Sequence, residues 1–171
     1  GTNYALSLQG GDGSSSNIDI SGLNLSTLPY TIEMWFKPDG DQADYTSLIM
    51  NPQGNNGISY VGWQASYDAL RLNASGGDQY AGPTVTQEVT ADGWHHVVAI
   101  VTPTSRTLIL DGEAHQEAAG FNPLDWSQGV TMIGAWDGQP SRTFKGLIDE
   151  VRIWNDSLSE QTLKANEFKV L

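Results

Sequence analysis

The chain has 171 residues, enough for one domain at the usual ~100–200 residues per domain, and 20 acidic against 8 basic side chains leave a formal charge of −12. No Lys/Arg cluster exists to release counterions from a phosphate backbone, so nucleic acid is excluded as a partner, and an anionic membrane surface is disfavoured for the same reason. No apolar run reaches the ~20 residues that span a bilayer, and the absence of cysteine removes disulfides, thiolate metal sites and cysteine nucleophiles.

Only 16% of the residues are charged, while Gly, Ser, Thr and Asn are abundant, a mixture that suits strands joined by turns. Residues 5–8 alternate and stop at the turn cluster Gly10-Gly11-Asp12-Gly13, and residues 18–20 resume the alternation. The strongest strand is 30–37, with Ile32, Met34 and Phe36 on one face and Glu33, Trp35 and Lys37 on the other; Pro38-Asp39-Gly40 ends it. Further strands are predicted at 47–50, 58–64, 70–73, 85–89, 95–101, 107–110, 131–133 and 146–154. Asp111-Gly112 after Leu108-Ile109-Leu110 is a hairpin signal, because Gly accepts positive φ without a Cβ clash. Ser157-Leu158-Ser159-Glu160 matches a capping box ahead of a helix at 161–167. About a dozen strands and one short C-terminal helix describe an all-β, two-sheet antiparallel sandwich, with residues 1–171 forming a single domain.

The stretch Phe144-Lys145-Gly146-Leu147-Ile148-Asp149-Glu150-Val151-Arg152-Ile153-Trp154-Asn155, followed by Leu158-Ser159-Glu160, resembles the closing signature of laminin G-like domains in the concanavalin A-like lectin/glucanase superfamily. Ala5-Leu6-Ser7-Leu8-Gln9-Gly10 is similar to the opening strand of such domains, and Tyr30-Thr31-Ile32-Glu33-Met34-Trp35-Phe36-Lys37-Pro38 to an early core strand. Gly93-Trp94-His95-His96-Val97-Val98-Ala99 with Leu110-Asp111-Gly112-Glu113 resembles the central hairpin. The resemblance covers nearly the whole chain. It implies a jelly-roll of two curved antiparallel sheets, in a secreted or cell-surface protein of bacterial type that binds carbohydrate or protein. It also implies a calcium ion near the junction of the first and last strands. The opening Gly1-Thr2-Asn3, with no Met and no signal peptide, reads as the start of a piece excised from a larger secreted protein.

Glycoside hydrolysis needs two carboxylates flanking the bond. Glucanases of the superfamily space their acids as Glu-x-Asp-x-x-Glu, and this chain has no such pattern; Asp149 and Glu150 are adjacent, which on a regular strand puts them on opposite faces. No catalytic residue is assigned, although Glu33, Glu88 and Asp149 are the acids from which a pair could be assembled. His95 and His96 are neighbours on opposite faces and cannot chelate one ion together; His96 reads as a half-buried structural histidine and His115 as solvent-facing. Calcium wants six to eight hard oxygen ligands. Asp12 offers a carboxylate and Gly10 or Gly11 a carbonyl in the first turn, and the family resemblance places Asp149 near that loop. The acidic run Asp39-Gly40-Asp41-Gln42-Ala43-Asp44 is a weaker metal candidate, lacking the order of an EF-hand loop.

Sugar rings present C–H faces that pack on indole and phenol rings. Trp35, Trp94 and Trp154 lie in strands that match the family and are expected as core or sheet packing. Trp63, Trp126 and Trp136 lie where the family has no fixed aromatic and are the candidates for a ligand. Tyr67 follows Trp63, and Arg71 and Asn73 alternate with Leu70 and Leu72, pointing away from the core toward sugar hydroxyls. The expected function is therefore a non-catalytic carbohydrate-binding module with a structural calcium, whose ligand is a neutral glycan in preference to an anionic one, given the −12 charge. The alternative is a structural or adhesion module that contacts protein or spaces neighbouring domains; a hydrolase or polysaccharide lyase ranks below both.

Overall fold

The computed structural model describes residues 4–10, 16–54, 56–61, 69–74, 84–85, 89, 93–118, 126, 129–159 and 161–163. Strands numbered in chain order form two six-stranded antiparallel sheets. The first runs β1 (Leu6–Leu8), β12 (Gly146–Trp154), β3 (Tyr30–Pro38), β8 (His95–Val101), β9 (Ser105–Leu110) and β10 (Glu113–Ala118) from edge to edge. The second runs β2 (Ile18–Ser21), β11 (Val130–Ile133), β4 (Ser47–Asn51), β5 (Asn56–Val61), β6 (Ala69–Ala74) and β7 (Thr84–Val85). This is the expected jelly-roll sandwich. Pro140–Arg142 makes one 3-10 turn, and residues 161–163 are helical. Residues 62–64 and 86–88, which belong to two predicted strands, lie outside the described residues.

Period-two alternation builds the core. Ile32, Met34 and Phe36 of β3 and Val97, Ala99 and Val101 of β8 are buried against Ile58, Tyr60, Leu70 and Leu72 of the facing sheet. Each fully buried aliphatic or aromatic side chain contributes ~1.5–3 kcal/mol. Trp35, Trp94 and Trp154 do not join this cluster; of the core or sheet packing expected of them, alternation puts Trp35 and Trp154 on the outer sheet face, where Trp35 packs on His96 at 4.9 Å.

Trp126 does the opposite. The ring proposed as a ligand platform is 1% exposed and belongs to the core. Its Nε1 donates to Tyr30 Oη at 3.3 Å, the two rings meet edge to face at 5.8 Å, and its carbonyl accepts from Asn51 Nδ2 at 3.3 Å. Burial raises the Tyr30 hydroxyl pKa above its ordinary value, against the opposing hydrogen bond from Trp126 and the charge of Arg106. A large ring whose one polar atom finds a buried partner gains more from closing the sandwich than from facing water.

The hairpin forms where the sequence predicts it. Leu110 pairs with Glu113 across a two-residue turn whose Asp111 and Gly112 have φ of 49° and 85°, the primed geometry that matches strand twist. Its second arm, β10, carries no strand signal: Glu113-Ala114-His115-Gln116-Glu117-Ala118 lacks β-branched and large aromatic residues. Its register against β9 overrides that weak propensity. The helix cap also shifts, since Ser159 Oγ, rather than Ser157, accepts the Thr162 N–H at 3.2 Å.

Asp111 Oδ2 bonds His95 Nδ1 at 2.7 Å and Oδ1 accepts the His96 N–H at 2.8 Å. Burial pushes this carboxyl up, but the two hydrogen bonds and the attraction of both histidines outweigh it and leave the pKa below 3.8. A depressed folded pKa stabilises above the unfolded value and is lost as pH falls through the folded one. Asp111→Asn, which keeps the turn geometry, is expected to lower Tm at neutral pH, with the gap to wild type closing below pH 3.8; a gap that is constant with pH would contradict the argument. Trp126→Ala is expected to cost about 3–5 kcal/mol in denaturant unfolding, and a change under 1 kcal/mol would contradict its core role.

Candidate functional site

The outer face of the second sheet is a polar floor. Ser47, Ser59, Arg71 and Thr84 stand opposite one another across four strands, and Met132, Met50, Gly57 and Asn73 form the next row. Asn73 Nδ2 donates to Ser59 Oγ at 2.6 Å and Arg71 Nε to Thr84 Oγ1 at 2.9 Å. Arg71 and Asn73 do lie on the face away from the core, but at 5% and 1% exposure they serve as this floor and do not reach solvent. Their predicted contact with sugar hydroxyls is corrected accordingly. Trp63 and Tyr67 lie outside the described residues.

Above one end of the floor sits the segment 134–143. It is clamped to β4 by the Gly134 N–H on the Leu48 carbonyl at 2.8 Å, and Thr143 bridges to Ser47. A side chain at Gly138 would touch Met132, so the loop overhangs the second row. Trp136 is 7% exposed, not the open stacking platform expected of it. Its ring packs edge to face on Tyr45 at 5.6 Å, and the Arg142 guanidinium lies 5.6 Å from the Tyr45 centroid and 6.0 Å from that of Trp136.

Asp137 locks this cluster. Its Oδ2 accepts from Arg142 Nη1 at 2.8 Å and from Gln139 Nε2 at 3.1 Å, while Oδ1 accepts the Gln139 N–H at 3.2 Å. Tyr45, Asp137 and Arg142 are half-buried and Gln139 is exposed. The result is a pre-oriented fork of donors and acceptors beside an aromatic edge, with its two formal charges cancelled inside the cluster. The sequence reading centred on Trp136 and passed over these residues. The signal was present, because Asp137, Gln139 and Arg142 follow it within six positions. Tyr45, which the fold brings from another loop, left none.

On the outer face of the first sheet, Glu33 is fully buried; its Oε1 meets His96 Nε2 at 2.7 Å and Arg152 Nη1 lies 3.7 Å from Oε2. His96 is thus fully buried on a carboxylate, where a half-buried histidine was expected. Asp149 and Glu150 do not simply alternate: a bulge falls between Asp149 and Arg152, Glu150 takes φ of 51°, and its carboxylate pairs with Arg152. His115 is partly shielded and lies 3.7 Å from Glu113 Oε1.

Of the expected calcium donors, Gly10 and Asp149 are not brought together. Gly10 packs so closely on the next segment that a Cβ would stand 2.1 Å from the Thr143 carbonyl. Asp149 lies three residues along β12 from Gly146, the partner of Leu8, and therefore roughly 10 Å further from that turn. Antiparallel pairing carries the turn after β1 away from Asp149, whose Oδ1 instead accepts the Glu150 N–H at 2.8 Å. Asp12 and Gly11 lie outside the described residues, and among those described no three His, Asp or Glu converge as a metal site. Asp149→Ala is therefore expected to leave unchanged any Tm difference between calcium and a chelator; loss of that difference would restore Asp149 as a ligand.

The double-sheet sandwich, with its N- and C-terminal strands paired, defines a lectin-like class of domain. The model of the concanavalin A-like lectin/glucanases superfamily, in its laminin G form, matches residues 12–164, and the chain belongs to that laminin G family. No curated protein sequence matches it. Among solved structures, it is similar to domain 4 of a GH43 extracellular arabinanase from Geobacillus stearothermophilus in complex with arabinotriose, with a TM-score of 0.71 and 22% identity over 94% of this chain and 75% of that one. The CBM40 of a Ruminococcus gnavus sialidase bound to α2,3-sialyllactose has a TM-score of 0.69 and 15% identity over 96% of each chain. Mouse laminin α1 domains LG4-5 have a TM-score of 0.61 and 16% identity over 90% of this chain and 42% of that one. Among the described residues no helix is long and apolar enough to cross a membrane.

Proposed function

We propose that this domain is a non-catalytic carbohydrate-binding module of a secreted or cell-surface protein, and that Tyr45, Asp137, Gln139 and Arg142 engage the ligand. The observation that carries the reading is the Asp137–Arg142 fork held against Tyr45 and Trp136, at 2.8 Å between the charged groups. Such a fork offers paired donors and acceptors to adjacent sugar hydroxyls, while the Tyr45 ring meets a C–H face. Trp136 is the buried support that fixes both. The two similar domains solved with arabinotriose and with sialyllactose support a glycan as the ligand class. Because Arg142 is neutralised by Asp137 and the chain carries −12, a neutral glycan is favoured over an anionic one. No step of this reading runs through calcium.

The test is a glycan array followed by titration of the glycan that binds. Arg142→Ala is expected to weaken binding roughly 10–100-fold, the range for losing hydrogen bonds to a charged group, while changing stability by less than about 1 kcal/mol. Trp136→Ala is expected to lower Tm as well. Silence of the folded wild type across the array, or full binding by Arg142→Ala, would overturn the assignment, and silence would favour the adhesion or spacer role.

A further inference from the structure

Three tryptophans outside the core share the outer face of the first sheet. Trp154 of β12 stands opposite Thr31, Trp35 lies four residues further along β3, and Trp94 sits one residue ahead of the Phe36–His95 pair, level with Lys37. With ~3.4 Å per residue and ~4.8 Å between strands, the three positions descend a diagonal of roughly 14 Å and then roughly 8 Å across three neighbouring strands. Trp94 is 39% exposed, and Trp35 and Trp154 are half-buried. Arg152 lies in the row between Trp154 and Trp35, and Asp149 stands opposite Trp35. At the Lys37 end the face opens into a groove of about 270 Å³ next to Gln9 and Gly146. Gly146 packs so closely at this end that a Cβ would stand 2.2 Å from the Lys37 carbonyl.

We propose that this face is a second carbohydrate-binding surface, one that takes an extended neutral polysaccharide chain. Indole rings separated by rows of charged side chains do not make the contiguous apolar patch that a protein partner or a bilayer covers. They do match a polymer that repeats C–H faces and hydroxyls along its length. Arg152 and Lys37 share this face with Glu33, Asp149 and Glu150, so both signs are interspersed and no positive field selects a polyanion. Trp35 is fixed in advance: its ring lies 4.9 Å from that of His96, which is anchored on Glu33 at 2.7 Å, so little side-chain freedom is lost on stacking. The surface does not depend on the Arg142 cluster. Together the two sites would let one domain hold two stretches of a polymer and gain avidity that short oligosaccharides cannot show.

The experiment is affinity electrophoresis of wild type, Trp94→Ala, Trp154→Ala and Arg142→Ala in gels containing soluble arabinan or a β-glucan, with Tm measured for each. Trp94→Ala is expected to weaken retention by about tenfold, on the scale of a lost aromatic stacking contact, with an unchanged Tm. Trp154→Ala is expected to weaken it in the same direction. Wild-type retention by both tryptophan variants, or no retention of wild type by either polymer, overturns the second surface. Impairment by Trp94→Ala with normal retention by Arg142→Ala supports this surface while removing the site proposed above, so the two assignments fail separately.

Discussion

The pairing of the last strand with β3 is the constraint on which the rest of the molecule depends. β12 enters between β1 and β3, and its register runs from Gly146 opposite Pro38 to Trp154 opposite Thr31. Residues more than a hundred positions apart thereby form the centre of the first sheet, with β8 completing it on the other side. Once β3 is held on both edges, its alternation has no freedom left. A slip of one residue would drive Glu33 and Lys37 into the core and expel Ile32 and Phe36. The same pairing creates the bulge at Glu150, which brings Arg152 to Glu33.

That outcome explains why a carboxylate is tolerated at full burial. An isolated buried charge is expensive, but Glu33 has His96 on one oxygen and Arg152 near the other. The Trp35 ring lies against the same histidine. A structural ion pair and an aromatic platform are thus one assembly, and the rigidity of the first is what pre-orients the second.

The two sheets use their outer faces differently. On the second, polar side chains are buried as a floor, and the Asp137–Arg142 fork proposed to meet the ligand belongs to the 134–143 loop. On the first, the large rings stand on the strands themselves. Asp137 and Arg142 cancel each other on the second, and acidic and basic side chains are interspersed on the first, although the chain as a whole is strongly acidic. On the reading proposed above, the acidity disfavours polyanions and leaves hydroxyl recognition to hydrogen bonds and ring faces.

Fold class, most strand positions, the Asp111-Gly112 hairpin and the family were all legible in the sequence, because period-two alternation, turn chemistry and linear motifs are local properties. Strand β10 was not, since its only support is the partner strand across the hairpin. Two of the aromatic residues proposed to meet a ligand were misplaced. Trp126 and Trp136, in loop-like segments, are buried, whereas Trp94 and the strand tryptophans Trp35 and Trp154 face outward. Alternation tells which residues share a face, but not what lies against that face. The separation of Asp149 from Gly10 and the meeting of Tyr45 with Arg142 are consequences of register and loop packing between distant segments. Composition and local pattern carry no information about either, so only the tertiary structure could decide them.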